Sequence, residues 1–145
     1  MKGSAETTVP VFANRAPWNE LVLRKKRQVK TLSFNWKYRG PILLYTSTNR
    51  TDDWGLGEYP VRVKMADIPK GFLVGTAEVV DVVPTDDLPQ TFYEKDPALY
   101  VTLGQSHVVI IKNPKRFKTP IPYKPKQGAI RIMKAPADLL KRATV

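Results

Sequence analysis

The run from Phe72 to Val83 (F-L-V-G-T-A-E-V-V-D-V-V) constrains this chain more than any other stretch. Valine and threonine dominate it. Their two heavy atoms on Cβ crowd a helical turn but pack well on a pleated surface. A strand this long either bends, with Gly75 as the natural place, or serves two neighbours. The chain is thereby committed to a sheet. Its thirteen prolines keep the other strands short, because each proline removes a ladder donor. Shorter strand signals run from Val9 to Asn14, Val29 to Phe34, Ile42 to Thr46, Ser106 to Lys112 and Ala129 to Met133. Trp18, Leu21 and Val22 recur at helical spacing, with Asn14 as a cap and Pro17 in the first turn, and predict a helix to about Lys26. A helix start around Asp86, Asp87 and Pro89 and a helical turn from Ala137 to Arg142 complete the helical content. Tyr38-Arg39-Gly40-Pro41 reads as a turn, and Asn49 to Gly57 as a loop. Asn113 to Gly128 carries Pro114, Pro120, Pro122 and Pro125 and is expected to be extended with few ladder bonds. Val61–Lys70 and Glu94–Leu103 follow neither period. Short strands whose edges must be closed or covered point to a mainly β barrel or sandwich.

The 145 residues fit one domain, expected over 8–136, with a loose start at 1–7 and a helical tail at 137–145. Without cysteine there is neither a disulfide nor a thiolate metal site. One histidine, His107, argues against a histidine-built metal centre or a His-centred triad. It reads as a hydrogen-bonded structural residue. No metal and no cofactor are expected. No apolar run approaches membrane-spanning length, and the first residues lack the apolar core of a signal peptide, so the expected location is the cytoplasm, with no membrane partner.

Charge is unevenly spread. The net charge is +11, which favours a polyanionic partner. No acid occurs from Leu21 to Arg50, ten acids stand against four bases over 51–96, and eight bases stand against no acid over 97–137. If the two basic segments lie side by side, the molecule has one positive face. In the first segment Arg24, Lys25, Lys26, Arg27, Lys30, Lys37 and Arg39 are interleaved with Trp18, Phe34, Trp36, Tyr38 and Tyr45. Cations that meet phosphate among rings that stack on bases form a nucleic-acid footprint. The second segment offers Lys112, Lys115, Arg116, Lys118, Lys124 and Lys126. The plainer reading of both is a solvated basic face over core aromatics.

Arg15-Ala-Pro-Trp18, a helix, the basic corner and Tyr38-Arg39-Gly40-Pro41-Ile-Leu-Leu resemble the opening of the ASCH domain, a branch of the PUA-like superfamily. Gly75-Thr-Ala-Glu78-Val-Val-Asp81-Val resembles its central strand, and Val108 to Pro114 with Thr119-Pro-Ile-Pro122 to Gly128 its closing strand and proline turn. The matched pieces run from Val11 to Ile132. The resemblance implies a PUA-like pseudo-barrel of five to six strands with short flanking helices. It implies a central cavity with Arg27 and Lys30 at its mouth, and Ser47 and Thr48 among the small polar residues that line it. The family pattern Gly-x-Lys-x-x-Glu-x-Arg departs here to Lys25, Arg27, Lys30 and Leu32. Some members hydrolyse the acetyl amide of acetylated cytidine with a Lys, a Thr and a Glu, and others cleave RNA. Only Glu78 matches that set. An arginine does not give up a proton as a catalytic lysine must. Whether the chain is an enzyme stays open; Lys30 or Lys26 with Glu78 would be the catalytic residues.

The residues thus favour a nucleic-acid-binding module, with single-stranded RNA as the partner the resemblance implies. Arg15, Lys25, Lys26, Arg27, Lys30, Arg39, Lys115, Arg116, Lys118, Lys124 and Lys126 would meet the backbone. Trp36, Tyr38, Ser47 and Thr48 would meet one unpaired or modified nucleotide. Trp18 reads as core packing, Trp54 as filling under its loop and Glu78 as a salt-bridge partner. The alternatives are a nucleic-acid-processing enzyme and a protein-interaction module.

Overall fold

A computed structural model of the chain describes residues 8–14, 18–48, 68–96, 105–124 and 132–142. Six strands form one mixed sheet: β1 (Thr8–Asn14), β2 (Val29–Leu32), β3 (Gly40–Thr46), β4 (Phe72–Pro84), β5 (His107–Pro122) and β6 (Ile132–Pro136). Their order across the sheet is β2-β5-β4-β3-β1-β6. β1 and β3 run parallel, and every other pairing is antiparallel. Two short helices, α1 (Trp18–Leu23) and α2 (Gln90–Lys95), and two 3-10 turns, Thr85–Asp87 and Ala137–Arg142, flank it. The architecture is the mainly β pseudo-barrel that the resemblance implies, where the strand pattern alone left barrel and sandwich open.

Both faces of the sheet are buried over its centre. On β3, Ile42 and Leu44 point to one side and Leu43 and Tyr45 to the other, and all four are buried. That is why the segment reads as an unbroken apolar run and not as an alternating one. The inner cluster takes Phe12, Leu32, Ile42, Leu44, Val79 and Val109 from the first five strands, and Val22 from α1. An outer cluster of Val11, Leu43, Leu73, Phe117 and Met133 packs under Leu139 and Leu140 of the last 3-10 turn. A second, of Val29, Leu88, Val108 and Ile110, packs under Phe92 and Tyr93 of α2.

The inner cluster lies inside the barrel, and two cavities lined by described residues lie beside α1.

β5 runs well past the expected Lys112. The prolines interrupt the ladder without ending it. Asn113 and Pro114 stand opposite the single residue Ala77, and Phe117 to Pro120 opposite the single residue Val74. Both are bulges, where a missing N–H costs nothing. Gly75 is required at this crossing, since a Cβ there would sit 2.3 Å from the Lys115 carbonyl oxygen. The loop Asn49–Gly57, most of Val61–Lys70, residues 1–7 and 97–104, and Trp54 lie outside the described residues.

Candidate nucleic-acid interface

α1 ends early, at Leu23, and its ending shapes the site. The amides of Lys25 and Lys26 donate to the carbonyls of Val22 and Leu21, at 2.9 and 2.8 Å. This paired closure needs one residue in the left-handed region, most often glycine. Lys25 takes that place, with φ 63°. It is also where the ASCH pattern has its glycine. A side chain there costs about 1–2 kcal/mol.

Across from this corner, the β5 bulge gives Asn113 a φ of 54°. Lys25 and Asn113 are the two non-glycine residues with positive φ among the described residues, and both line one cavity of about 630 Å³. Its walls bring Lys25, Arg27 and Gln28 from the first acid-free segment against Lys112 and Lys115 from the second, with Glu78 from β4. The two basic segments therefore meet in space. Lys25, Lys112 and Lys115 are exposed, and none has a carboxylate partner among the described residues. Glu78 Oε1 accepts a hydrogen bond from Asn113 Nδ2 at 2.9 Å.

A second cavity of about 320 Å³ adjoins the first and shares Val22, Arg27 and Ile111 with it. Asn14, Trp18, Val29, Lys30 and Thr31 complete it. It lies at a gap between the described strands. Among the described residues, β6 pairs with β1 only as far as Phe12, and β2 pairs only with β5. Lys30 spans the gap, its Nζ donating to Asn14 Oδ1 at 2.6 Å and to the Ala13 carbonyl at 3.2 Å. Asn14 Nδ2 donates to Asn19 Oδ1, and Asn19 Nδ2 to the Tyr45 carbonyl, both at 2.8 Å. One chain of hydrogen bonds thus ties β2, β1, α1 and β3 together.

Arg27 forms the partition between the two cavities. It is buried, its Nε lies 2.7 Å from Asp96 Oδ2, and its guanidinium sits 4.5 Å over the Trp18 ring. Trp18 is half-buried under this cation, which departs from plain core packing.

Arg116 points to α1. It donates from Nη1 and Nη2 to the two oxygens of Glu20, at 2.8 and 2.9 Å, and Arg24 Nε adds a third bond at 2.6 Å. Burial raises the Glu20 pKa, but the bonds from Arg116 and then Arg24 outweigh it and leave the carboxyl below its ordinary value.

The return loop after β2 is built differently. Arg39 Nη1 donates to the Trp36 and Tyr38 carbonyls at 3.1 and 2.9 Å, and Nη2 to Asp81 at 3.3 Å. Trp36 stacks on Tyr38 with ring centroids 5.1 Å apart, and the Tyr38 hydroxyl donates to the Pro41 carbonyl at 2.6 Å. Gly40, with φ +131°, fits under that ring. Trp36, Tyr38, Arg39, Ser47 and Thr48 line neither cavity, and nor do Lys26, Lys118 and Lys124. Ser47 is buried, while Thr48, Lys26, Lys118 and Lys124 are exposed. His107 Nδ1 lies 2.8 Å from Ser106 Oγ, as a structural histidine would. Arg15 and Lys126 lie outside the described residues. Sequence reasoning passed over Asn113, Gln28 and Asp96, which carry no local signal. Lys112 had been noted only as one member of the second basic set.

Among the described residues, no group of three His, Asp or Glu side chains is arranged to hold a metal ion, and no helix is long and apolar enough to cross a membrane.

Comparison with solved structures assigns the fold. It is a mainly β pseudo-barrel. Within that class the chain has the ASCH-domain fold. It is similar to ASCH from Zymomonas mobilis, with a TM-score of 0.55 at 11% identity, covering 92% of this chain and 91% of that one. Two point variants of the Zymomonas mobilis protein also align. The serine-to-alanine variant gives a TM-score of 0.51 at 11% identity, covering 91% of each chain. The tyrosine-to-phenylalanine variant gives 0.54 at 10% identity, covering 91% of this chain and 93% of that one. No protein-family model and no curated protein matches the sequence.

Proposed function

We propose that the chain is a nucleic-acid-binding module whose ligand is single-stranded RNA. Residues 8–136 would act as one domain, in the cytoplasm. The observation that carries this reading is the meeting of Lys25 with Lys112 and Lys115 at one cavity, from segments far apart in sequence. Lysines without carboxylate partners facing one cavity suit a phosphodiester, and their charge makes binding depend on salt. RNA is preferred to DNA on the ASCH resemblance. The test is fluorescence anisotropy of a single-stranded RNA oligomer across a salt series. Lys112→Glu with Lys115→Glu is expected to weaken binding by at least about tenfold, about 1.4 kcal/mol, and to flatten the salt slope. Lys124→Glu, away from both cavities, serves as the control. No binding at low salt, or equal losses in all the variants, ends the reading.

A hydrolytic reading rests on Glu78, which shares the larger cavity with these lysines. Lys30 lines the smaller cavity, and Lys26 lines neither. Turnover of RNA or acetylated cytidine, abolished by Glu78→Gln, would replace binding with catalysis.

A further inference from the structure

We infer that the site takes two consecutive nucleotides of a strand, one on each side of Arg27; this rests on the nucleic-acid reading above. The two cavities are separate volumes with a common wall of Val22, Arg27 and Ile111. At about 630 and 320 Å³, each lies within the range of a complete small-molecule site. Their electrostatics differ. In the smaller, the donors are largely used: two of the three on Lys30 Nζ go to Asn14 Oδ1 and the Ala13 carbonyl, and Arg27 is paired with Asp96. A phosphate would have to displace these bonds, and a neutral base fits. In the larger, Lys25, Lys112 and Lys115 face a single carboxylate, Glu78, which Asn113 already engages. That wall suits the phosphodiester.

The larger volume exceeds what one phosphate needs, so the neighbouring nucleoside follows the phosphate into it. The Arg27 guanidinium cannot swing aside cheaply, because it is buried between Asp96 and Trp18. The two bases are therefore splayed on either side of it and not stacked on each other, as is usual when single strands are read. The backbone supports the same geometry. The two strained residues, Lys25 and Asn113, stand on opposite walls of the compartment assigned to the phosphodiester. Strain of that kind persists where the surrounding fold holds it in place.

The experiment is competition against a bound, labelled single-stranded RNA oligomer. Mixed dinucleoside monophosphates carrying a 5′-phosphate are compared with the mixed nucleoside 5′-monophosphates, using the full chain. The dinucleotides are expected to displace the probe at about tenfold lower concentration or better, about 1.4 kcal/mol. Thr31→Phe, which fills the smaller cavity, is expected to erase that advantage and leave mononucleotide competition unchanged. Equal competition by the two ligand classes in the wild-type chain overturns the two-nucleotide site while RNA binding stands. A probe that never binds overturns the binding reading, and this inference with it. The wild-type comparison decides the question even if Thr31→Phe fails to fold.

Discussion

The corner after α1 and the return loop between β2 and β3 look alike in charge: each carries cations and no acid, with Trp36 and Tyr38 inside the loop and Trp18 at the start of the helix before the corner. The fold uses them differently. In the return loop Arg39 ties down its own backbone, and Trp36 packs between Tyr38 and Phe12. In the corner one cation, Arg27, is sunk against a carboxylate from another element, and another, Lys25, is held out over a cavity by a strained backbone. A basic, aromatic composition therefore does not locate a site. What separates the two regions is where the hydrogen-bond acceptors lie. In the loop they belong mainly to the loop's own backbone, with one exposed bond to Asp81. In the corner Arg27 finds its carboxylate on a distant segment and Arg24 pairs with Glu20, which leaves Lys25 exposed at the cavity.

The largest effect that would break this contrast concerns the two ion pairs. Asp96→Asn strands the buried Arg27 charge and is expected to cost about 3–5 kcal/mol in urea unfolding. Asp81→Asn, at the exposed Arg39 pair, is expected to cost less than about 1 kcal/mol. Similar losses from both would dissolve the distinction. Next comes Glu20, which loses its charge-assisted bonds in Glu20→Gln, at a cost of about 2 kcal/mol near neutral pH. Its folded pKa lies below the ordinary 4.5, so its contribution is complete above that value and fades as pH falls through the lowered one. The gap between wild type and Glu20→Gln should therefore close on acidification, and denaturation midpoints across acid pH would measure it. The smallest effect runs the other way. Lys25→Gly relieves the left-handed strain and should stabilise the chain by about 1 kcal/mol while weakening RNA binding. A gain in stability without a loss in binding would remove Lys25 from the interface.

Much of the scaffold was legible. The valine-rich run became β4 with its ends displaced by no more than a residue, and the apolar run before Ser47 became β3. The helix starting at Trp18 was legible too, but not its end. Nothing in the residue type of Lys25 announces a left-handed conformation. β5 was read as far too short, because prolines argue against a ladder unless bulges absorb them, and bulges depend on the partner strand. At the site, the clustering of charge was visible, but the sorting of cations was not. Arg27 with Asp96 and Arg116 with Glu20 are pairs between segments far apart in the chain, and such pairing follows from topology.

Among the described residues the sheet ends on β2 and β6, strands of only four and five residues. Any hydrogen-bonding row left open there is too brief to template a neighbouring molecule, and Pro136 together with the exposed Lys134 makes the β6 margin poorer still. Concentrated solutions of this protein should accordingly resist fibril growth by strand addition, even though its centre is apolar on both faces.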